Sequence, residues 1–334
     1  MRTITIWGAV CMAALATGAA GGQRLLVANQ VDRTISVIDP AVGKVVATVA
    51  EPVRGQWVHE VAASPDGRTA YAPVYGNSGV GRPGLDGRVL LVIDVGTGRV
   101  LRTVDFGHGV RPHLPVLDAA HGLLYVTTEL DNAVTVIDTK TLRIVGKVPT
   151  GQAESHMLAI SHDGRFGYTA NVGPGTVSVL DLAARRTLAI IPVASTVQRI
   201  AITSDDRYVF TSDQKLPRLA VINTATRKVE RWVALPGIGY GGAVTPDGRW
   251  FLIALPEKNS VAVVDLRSMT VARTIPVDHA PQAVLVRPDG RTAYVSCAAS
   301  SVVTAIDLIG WKVDEAIPAG RWDDGMAWAA KRGD

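Results

Sequence analysis

A strand-like phrase recurs seven times along the 334 residues, and this repeat constrains the fold more than any other feature. Each copy is a short apolar run that ends in an acid or an amide, at Asp39, Asp94, Asp138, Asp181, Asn223, Asp265 and Asp307. The steps between copies are 55, 44, 43, 42, 42 and 42 residues. A period of this length predicts a repeat architecture.

The internal order of one copy identifies the repeating unit. In the second copy, "HEVAAS" reads as a strand, Pro65-Asp66-Gly67 as a turn, and "RTAYAPV", "RVLLVID" and "RVLRTVDF" as three further strands. No window shows sustained helical periodicity. Four short strands in about 40–45 residues are typical of a β-propeller blade. We therefore expect an all-β, seven-bladed propeller with four antiparallel strands per blade, as a single domain over 21–334.

The two ends of the chain predict how the ring closes. The segment "GGQRLLVANQ" aligns with the second strand of a blade, so the first blade lacks its first strand. The segment "DDGMAWAA", residues 323–330, matches a first strand. We expect this C-terminal strand to complete the N-terminal blade, which leaves no whole sheet edge free.

The second strands carry a family resemblance. They read "LVAN" at 26–29, "YVTT" at 125–128, "YTAN" at 168–171 and "YVSC" at 294–297. With "SPDGRTAY" and the "VSVID" phrase, the chain resembles the YVTN-type β-propeller repeat proteins over all seven blades. That group is related to surface-layer propellers, lactonase-like propellers, and the propellers of nitrous oxide reductase and haem-containing nitrite reductase. The resemblance implies the seven-bladed fold.

The N-terminus has the features of a targeting segment. Arg2 precedes an apolar stretch from Ile4 to Leu15, and small residues follow at 18–20. This pattern predicts a signal peptide over residues 1–20 and a periplasmic or secreted protein. No second apolar span follows, so we expect no membrane span after cleavage. The single remaining cysteine, Cys297, is expected to be a buried small hydrophobe.

Charge and composition narrow the choice of partners. The net charge is +4, but the basic residues are scattered singly, with no Lys/Arg run. We therefore expect no nucleic-acid partner. The expected partner is a small-molecule ligand or another exported protein, and the chain is expected to be a monomer.

Histidines recur at one position of the repeat. In a four-stranded blade the first strand lines the central channel, and its start lies on the same face as the loop between strands two and three. We call this face the mouth. The residues aligned there, which we call the ring position, are His59, His113, His156, Gln198, Tyr240, Gln282 and Gly325. Three consecutive blades thus present histidine at the ring position, whereas His121 and His162 fall in turns of the opposite face.

Further polar and aromatic residues fall on the mouth. They include Arg54, Trp57, Asp105, Glu154, Asp278, Arg321, Trp322, Asp323 and Asp324. Because a rim needs only turn formers, this mixture predicts a site. The predicted ligand-binding residues are His59, Glu60, Arg111, His113, His156, Arg199, Tyr240 and Gln282.

Several chemistries fit these residues. Three imidazoles with an open position suit copper, zinc or iron, so His59, His113 and His156 are candidate metal ligands. The resemblance to nitrous oxide reductase implies similar use of them for copper. Because blades five to seven offer Gln198, Tyr240 and Gln282 instead of histidine, we expect no multinuclear copper cluster. The competing interpretation is that these histidines bond to neighbouring backbone and line a wet channel.

Two functional classes stay open. The first is a non-catalytic binding module that presents the mouth to a ligand, a cofactor or a partner; one variant is haem capture, with a histidine on the iron and arginines on the carboxylates. The second is an enzyme at the same mouth, either metal-dependent or lactonase-like, using residues such as Glu60 and Arg199 on an ester carbonyl. No nucleophile signature and no C-x-x-C-H haem-attachment motif occurs in the sequence.

An insertion accounts for the longest step of the repeat. Residues 75–88, "YGNSGVGRPGLDGR", join the second and third strands of blade two and so overhang the mouth. A flexible glycine-rich loop and a lid over the channel are the two interpretations. The G-x-G-x-x-G spacing within it is not a dinucleotide motif, because no helix follows and Pro83 would interrupt one.

Overall fold

A computed structural model of the chain describes residues 22–330, which form seven antiparallel four-stranded blades. This confirms the predicted all-β, seven-bladed propeller. The predicted signal peptide, residues 1–20, lies outside the described residues. Within the described range, no helix is long and apolar enough to cross a membrane.

The strands follow the predicted order of the repeat. Blades one and two contain β1 (Arg24–Asn29), β2 (Thr34–Asp39), β3 (Lys44–Ala50), β4 (Trp57–Val58), β5 (Ala62–Ala63), β6 (Thr69–Gly76), β7 (Asp86–Asp94) and β8 (Arg99–Asp105). Blades three and four contain β9 (Pro112–Asp118), β10 (Leu123–Thr128), β11 (Ala133–Asp138), β12 (Ile144–Pro149), β13 (Ser155–Ile160), β14 (Phe166–Asn171), β15 (Thr176–Asp181) and β16 (Arg186–Pro192).

The remaining blades repeat this pattern. Blades five and six contain β17 (Ala201–Ile202), β18 (Tyr208–Ser212), β19 (Arg218–Asn223), β20 (Lys228–Ala234), β21 (Gly242–Val244), β22 (Trp250–Leu255), β23 (Ser260–Asp265) and β24 (Thr270–Pro276). Blade seven contains β25 (Pro281–Val286), β26 (Thr292–Cys297), β27 (Val302–Asp307) and β28 (Lys312–Pro318), and β29 (Asp323–Ala329) ends the series. Two single-turn 3-10 helices, Glu129–Asp131 and Pro256–Lys258, join second and third strands.

The ring closes through its two ends, as predicted. Strand β29 pairs antiparallel with β1, with Arg24 opposite Ala329 and Asn29 opposite Asp323. The first sheet therefore has the order β29-β1-β2-β3. Closure gives β1 a hydrogen-bonding partner on both sides, so it is no longer an edge strand.

The core lies between neighbouring blades. Second and third strands such as β10 are buried on both faces, because a blade is covered on each side by the next. Tyr71 and Leu90 of blade two, for example, pack against Leu124, Val126 and Ile137 of blade three. Burying one such aliphatic side chain stabilises the fold by about 1.5–3 kcal/mol. The fourth strands are mostly exposed, as in β28.

The innermost strands are irregular where they reach the mouth. In blade three the pairing of β9 with β10 jumps from Pro115–Val126 to Pro112–Thr128 and bypasses His113. In blade two the inner strand is split into β4 and β5, with His59 between them. A bulge of this kind bends the strand and changes the direction of a side chain. The bulges thus explain how ring-position side chains turn into the channel.

Hydroxyl groups of the second strands form hydrogen bonds with backbone N–H and C=O groups that the bulges leave unpaired. Thr127 of the "YVTT" segment accepts a hydrogen bond from the Leu114 N–H at 2.9 Å and donates to the His156 carbonyl at 2.9 Å. Ser296 of "YVSC" accepts from the Ala283 N–H at 3.0 Å. Buried backbone groups need such partners. The hydroxyl side chains of the motif, Thr127 and Ser296, therefore support the inner strands at the mouth.

Candidate functional site

The three ring-position histidines meet in one cluster, in which His113 and His156 are buried and the side chain of His59 is 12% exposed. The ring centroids of His113 and His156 are 3.6 Å apart, and those of His59 and His113 are 5.3 Å apart. Tyr75, from the end of β6, packs against them, with its centroid 4.7 Å from that of His59 and 5.2 Å from that of His113. The side chains come from blades two, three and four, so the ring geometry places them next to one another and the bulges turn them into the channel.

A buried carboxylate links two members of this group. Glu129, the first residue of a 3-10 helix, bonds to His156 Nδ1 through Oε1. The hydroxyl of Tyr75 donates to the other oxygen, Oε2, at 2.8 Å. Burial is the largest cause that raises the pKa of the Tyr75 hydroxyl, and the neighbouring Glu129 is the second. The hydroxyl therefore stays protonated. We call His59, His113, His156, Tyr75 and Glu129 the histidine cluster.

Burial keeps two of the imidazoles neutral. It lowers the pKa of His59 to about 4 and the pKa of His113 well below its usual range. His59 Nε2 and His113 Nδ1 are buried, and neither has a hydrogen-bond partner among residues 22–330. We call these two atoms the open nitrogens. A buried polar atom without a partner destabilises the fold by about 1–3 kcal/mol unless something binds it.

An ion-paired group spans the channel beside the cluster. Arg199, which follows the ring position of blade five, donates to Glu60 Oε1 through Nη1 and to Asp324 Oδ1 through Nη2, the latter at 2.6 Å. All three side chains are buried. Burial raises the pKa of Glu60 to about 7, and the positive charge of Arg199 opposes that rise. We call these residues the charge bridge; a cavity of about 120 Å³ in the channel is lined by Glu60, Arg199, Met157 and Met326 among others.

The charge bridge and the histidine cluster are connected. The side-chain amide of Gln30 donates from Nε2 to Asp324 Oδ2 at 2.6 Å and lies 3.4 Å from His59 Nδ1. Gln30 comes from the loop after β1, and Asp324 comes from β29. The first blade, closed by the C-terminal strand, therefore completes the site.

Arg111 holds the insertion. Its Nε donates to Asp86 Oδ1 at 2.6 Å, and Nη2 donates to the Arg82 carbonyl at 2.7 Å. The insertion is a hairpin extension of β6 and β7, with Asn77 and Leu85 bonded across it. The side chain of Arg111, predicted to bind a ligand, is thus engaged with the chain itself.

Two other predicted residues lie outside the histidine cluster. Tyr240 lies beneath Arg199, whose guanidinium carbon is 4.8 Å from the ring centroid, and its hydroxyl accepts from Gln198 at 2.8 Å. Gln282 donates to the Ala280 carbonyl at 3.3 Å. Blades five to seven therefore bring no imidazole to the cluster, as the sequence indicated.

The sequence alignment is wrong by one residue at the ring position of blade one. The sequence alignment placed Gly325 at the ring position of blade one. The pairing of β29 with β1 passes from Met326–Val27 to Asp323–Asn29, so Asp324 takes that place. A bulge hides such a shift from the sequence, because it adds a residue without changing the strand pattern. The Gly325 N–H instead donates to the His59 carbonyl at 2.9 Å.

The histidines divide between the two faces as predicted. His121 and His162 bond to Asp118 and Asp206 in turns of the face opposite the mouth. On the mouth, His108 bonds to Asp131 at 2.8 Å and is exposed. Cys297 is buried, and burial raises the pKa of its thiol to about 12, as expected for a small hydrophobe.

The predicted three-histidine metal site stays a prediction. The imidazoles are neighbours, but within the described part of the chain no group of three or more His, Cys, Asp or Glu side chains has an arrangement that could hold a metal ion. The stacking of His113 on His156 is the visible difference from a set of converging ligands.

Three members of the site were missed from the sequence. Tyr75 lies at the end of a second strand, Glu129 follows a second strand, and Gln30 occupies the loop after the second strand of blade one. The available signal was topological, since the loop between strands two and three reaches the mouth. A search for polar residues at the ends of second strands and in the loops after them would have included all three among other candidates.

Comparison with known proteins agrees with the fold. The family model "Cytochrome D1 heme domain" matches residues 118–239, less than half of the chain. The matched segment runs from the end of β9 through blade five and contains Glu129, His156 and Arg199. No curated protein matches the sequence.

Two solved structures share the propeller. Kuenenia stuttgartiensis hydrazine synthase is similar with a TM-score of 0.69 and 17% identity, covering 84% of this chain and 91% of that one. The dihydro-heme d1 dehydrogenase NirN, in complex with DHE, is similar with a TM-score of 0.65 and 14% identity, covering 91% of this chain and 74% of that one. At these identities the likeness concerns the fold.

Proposed function

We propose that the chain is an exported binding module that takes a haem-type iron tetrapyrrole at its mouth, with the histidine cluster supplying an imidazole ligand to the iron. The observation that carries the proposal is the set of neighbouring imidazoles at the mouth, in which a buried carboxylate orients His156 and the open nitrogens have no partner among residues 22–330. The match of residues 118–239 to a haem-domain family supports it, because Glu129 and His156 lie in that segment.

The donor set fits such a group. Haem iron takes imidazole nitrogen as an axial ligand, and only an uncharged imidazole has a lone pair to offer. The lowered pKa values of His59 and His113 keep both rings uncharged at neutral pH. Tyr75 and Glu129 add a hydrogen-bonded polar wall, which is how protein sites adjust an iron centre.

The rim supplies groups for the rest of a tetrapyrrole. Arg54 and Arg82 are exposed on the mouth face and can pair with peripheral carboxylates. Trp322, with 47% of its surface exposed, offers an aromatic face on the mouth. A bound haem would contribute an iron centre with one-electron chemistry. The chain's own residues hold the imidazoles, exclude water and place the carboxylates.

A haemin titration tests the proposal. Ferric protoporphyrin IX added to the mature protein should bind one to one and shift its Soret band. The variants His59→Ala, His113→Ala and His156→Ala should be compared with His162→Ala, which changes a histidine of the opposite face. We expect at least one cluster variant to lose the shift while His162→Ala keeps it.

Two further measurements separate the alternatives. Metal-free protoporphyrin IX should bind more weakly than haemin, because it offers no iron to the imidazoles. Elemental analysis of protein purified without chelator would reveal a bare copper, zinc or iron ion, which the Soret band would not report. Haemin binding that all three cluster variants retain would contradict the proposal.

A further inference from the structure

Tyr75, Glu129 and His156 form a continuous buried hydrogen-bonded chain at the mouth. We infer that Glu129 is a positioning residue that selects His156, through Nε2, as the iron ligand of the three ring-position histidines. The inference rests on the proposed function and goes beyond it by assigning separate roles within the cluster.

The bond to Glu129 decides the tautomer of His156. A carboxylate accepts the hydrogen of Nδ1, so the lone pair of the ring lies on Nε2. A carboxylate behind a ligating histidine also fixes the ring orientation and increases its basicity. His156 therefore has a defined donor atom, a defined direction and an anionic partner.

His59 has the opposite arrangement. Gln30 Nε2 is fixed by its 2.6 Å bond to Asp324, so it faces His59 Nδ1 as a donor, at 3.4 Å. Nδ1 of His59 must then accept, and the hydrogen of that ring lies on Nε2. The open nitrogen of His59 is therefore a buried N–H donor, suited to bond a ligand rather than to ligate iron.

His113 has no such partner for its open nitrogen. Among the described residues, nothing bonds to His113 Nδ1, and its ring stacks on His156 with the centroids 3.6 Å apart. Its role is to hold the His156 ring from one side. Of the three imidazoles, only His156 is bonded to a carboxylate at hydrogen-bond distance.

The carboxylate is itself held from two elements. Tyr75 at the end of β6 bonds to Oε2, and the 3-10 helix that begins at Glu129 is closed by the Asn132 N–H bonding to the Glu129 carbonyl at 3.1 Å. Glu129 is 3% exposed and Tyr75 is fully buried. The position of the carboxylate is thus set before any ligand arrives.

The test is Glu129→Gln in the mature chain, with ferric protoporphyrin IX as the probe. Glutamine keeps the shape and an acceptor oxygen but removes the negative charge. We expect haemin affinity to fall about 10- to 100-fold, as for other residues behind metal ligands. The midpoint potential of the bound iron should rise, because a less basic imidazole stabilises the ferric state less.

Controls keep the inference separate from the proposed function. Asp206→Asn changes a similar carboxylate–imidazole pair, with His162, on the opposite face and should alter neither quantity. If Glu129→Gln fails to fold by circular dichroism, Tyr75→Phe is the second variant. It removes a donor from the carboxylate, which strengthens the bond of Glu129 to His156 Nδ1, and should therefore lower the midpoint potential by a smaller amount.

The outcomes are distinguishable. Wild-type protein that binds no haemin would overturn the proposed function, and this inference with it. Wild-type protein that binds haemin, with affinity and potential unchanged in the folded Glu129→Gln or Tyr75→Phe variant, would overturn this inference alone. Retained coordination in His59→Ala and its loss in His156→Ala would support the assignment, and the reverse pattern would contradict it.

Discussion

The two sides of the mouth solve the same burial problem differently. The charge bridge of Glu60, Arg199 and Asp324 buries three ionisable groups and pairs them with one another. The histidine cluster of blades two to four buries neutral rings and leaves the two open nitrogens. An unpaired buried charge costs far more free energy than an unpaired neutral imidazole, so the charged groups are paired within the fold and the imidazole nitrogens are left for an external partner. Capacity for a ligand is therefore concentrated in the histidine cluster.

The largest expected effect comes from breaking the charge bridge. Arg199→Met would leave Glu60 and Asp324 buried without their cation and should destabilise the protein by about 3–5 kcal/mol, measured by urea unfolding. Replacing all three members with neutral residues should recover much of that loss, because a buried ion pair adds little over apolar packing. The matched control is Arg88→Met, which breaks an exposed pair with Asp105 and should leave the midpoint nearly unchanged. Equal effects of the two single variants would show that the bridge is not a structural unit.

The next effect concerns acid and the histidine cluster. Because the pKa of His59 is lowered to about 4 in the folded state, the unfolded chain binds more protons between pH 6.5 and 4. Stability is therefore lost as the pH falls through that window, by about 3 kcal/mol for this residue. His59→Asn should flatten the dependence in urea unfolding at pH 7, 5.5 and 4.5. His162→Asn, on the opposite face, is the control, and parallel profiles for His59→Asn and wild type would refute the expectation.

A smaller and local effect is expected at the insertion. Arg111 adopts a left-handed backbone with φ 49°, so asparagine is the substitution its backbone tolerates. Arg111→Asn should free residues 77–85 and raise their hydrogen exchange, with a loss of about 1–2 kcal/mol. Arg227→Asn, at a left-handed position of the opposite face, should leave that exchange unchanged. Unaltered protection of 77–85 in Arg111→Asn would mean that the hairpin holds itself.

The smallest effect is expected at Gln282, which occupies the ring position but joins neither group. Among the described residues, its side-chain amide makes one hydrogen bond, to the Ala280 carbonyl. Gln282→Ala should change stability by less than about 0.5 kcal/mol and leave haemin binding unaltered. A large change in either would extend the site into blade seven.

The fold could be predicted because its determinants are local and repeated. The seven phrases ending at Asp39 through Asp307, the "PDG" turns and the missing first strand specify blade number, strand order and closure. The histidine cluster followed from the same regularity, since equal positions in successive blades must be neighbours. Side-chain partners across the ring could not be predicted in this way.

The partners missed are far apart in sequence. Gln30 meets Asp324 and Arg199 meets Glu60 only after the ring has closed. The bulge that moves Asp324 into the place expected for Gly325 leaves no trace in the apolar pattern. Glu129 lies in a short loop with an ordinary turn sequence, and only its burial distinguishes it from the acidic residues of other turns. Sequence periodicity reports backbone position, whereas these contacts depend on side-chain direction.

Closure by β29 also determines the order in which the parts of the site can form during synthesis. A chain is made from its N-terminus, so blades two to four, with all three ring histidines, emerge while Asp324 has still to be synthesised. Until residues 323–329 arrive, Arg199 and Glu60 lack their third member, and β1 keeps an unpaired edge. The mouth is therefore the last part of the molecule to mature. A chain released before residue 323 is added would contain nearly every blade and an unfinished site.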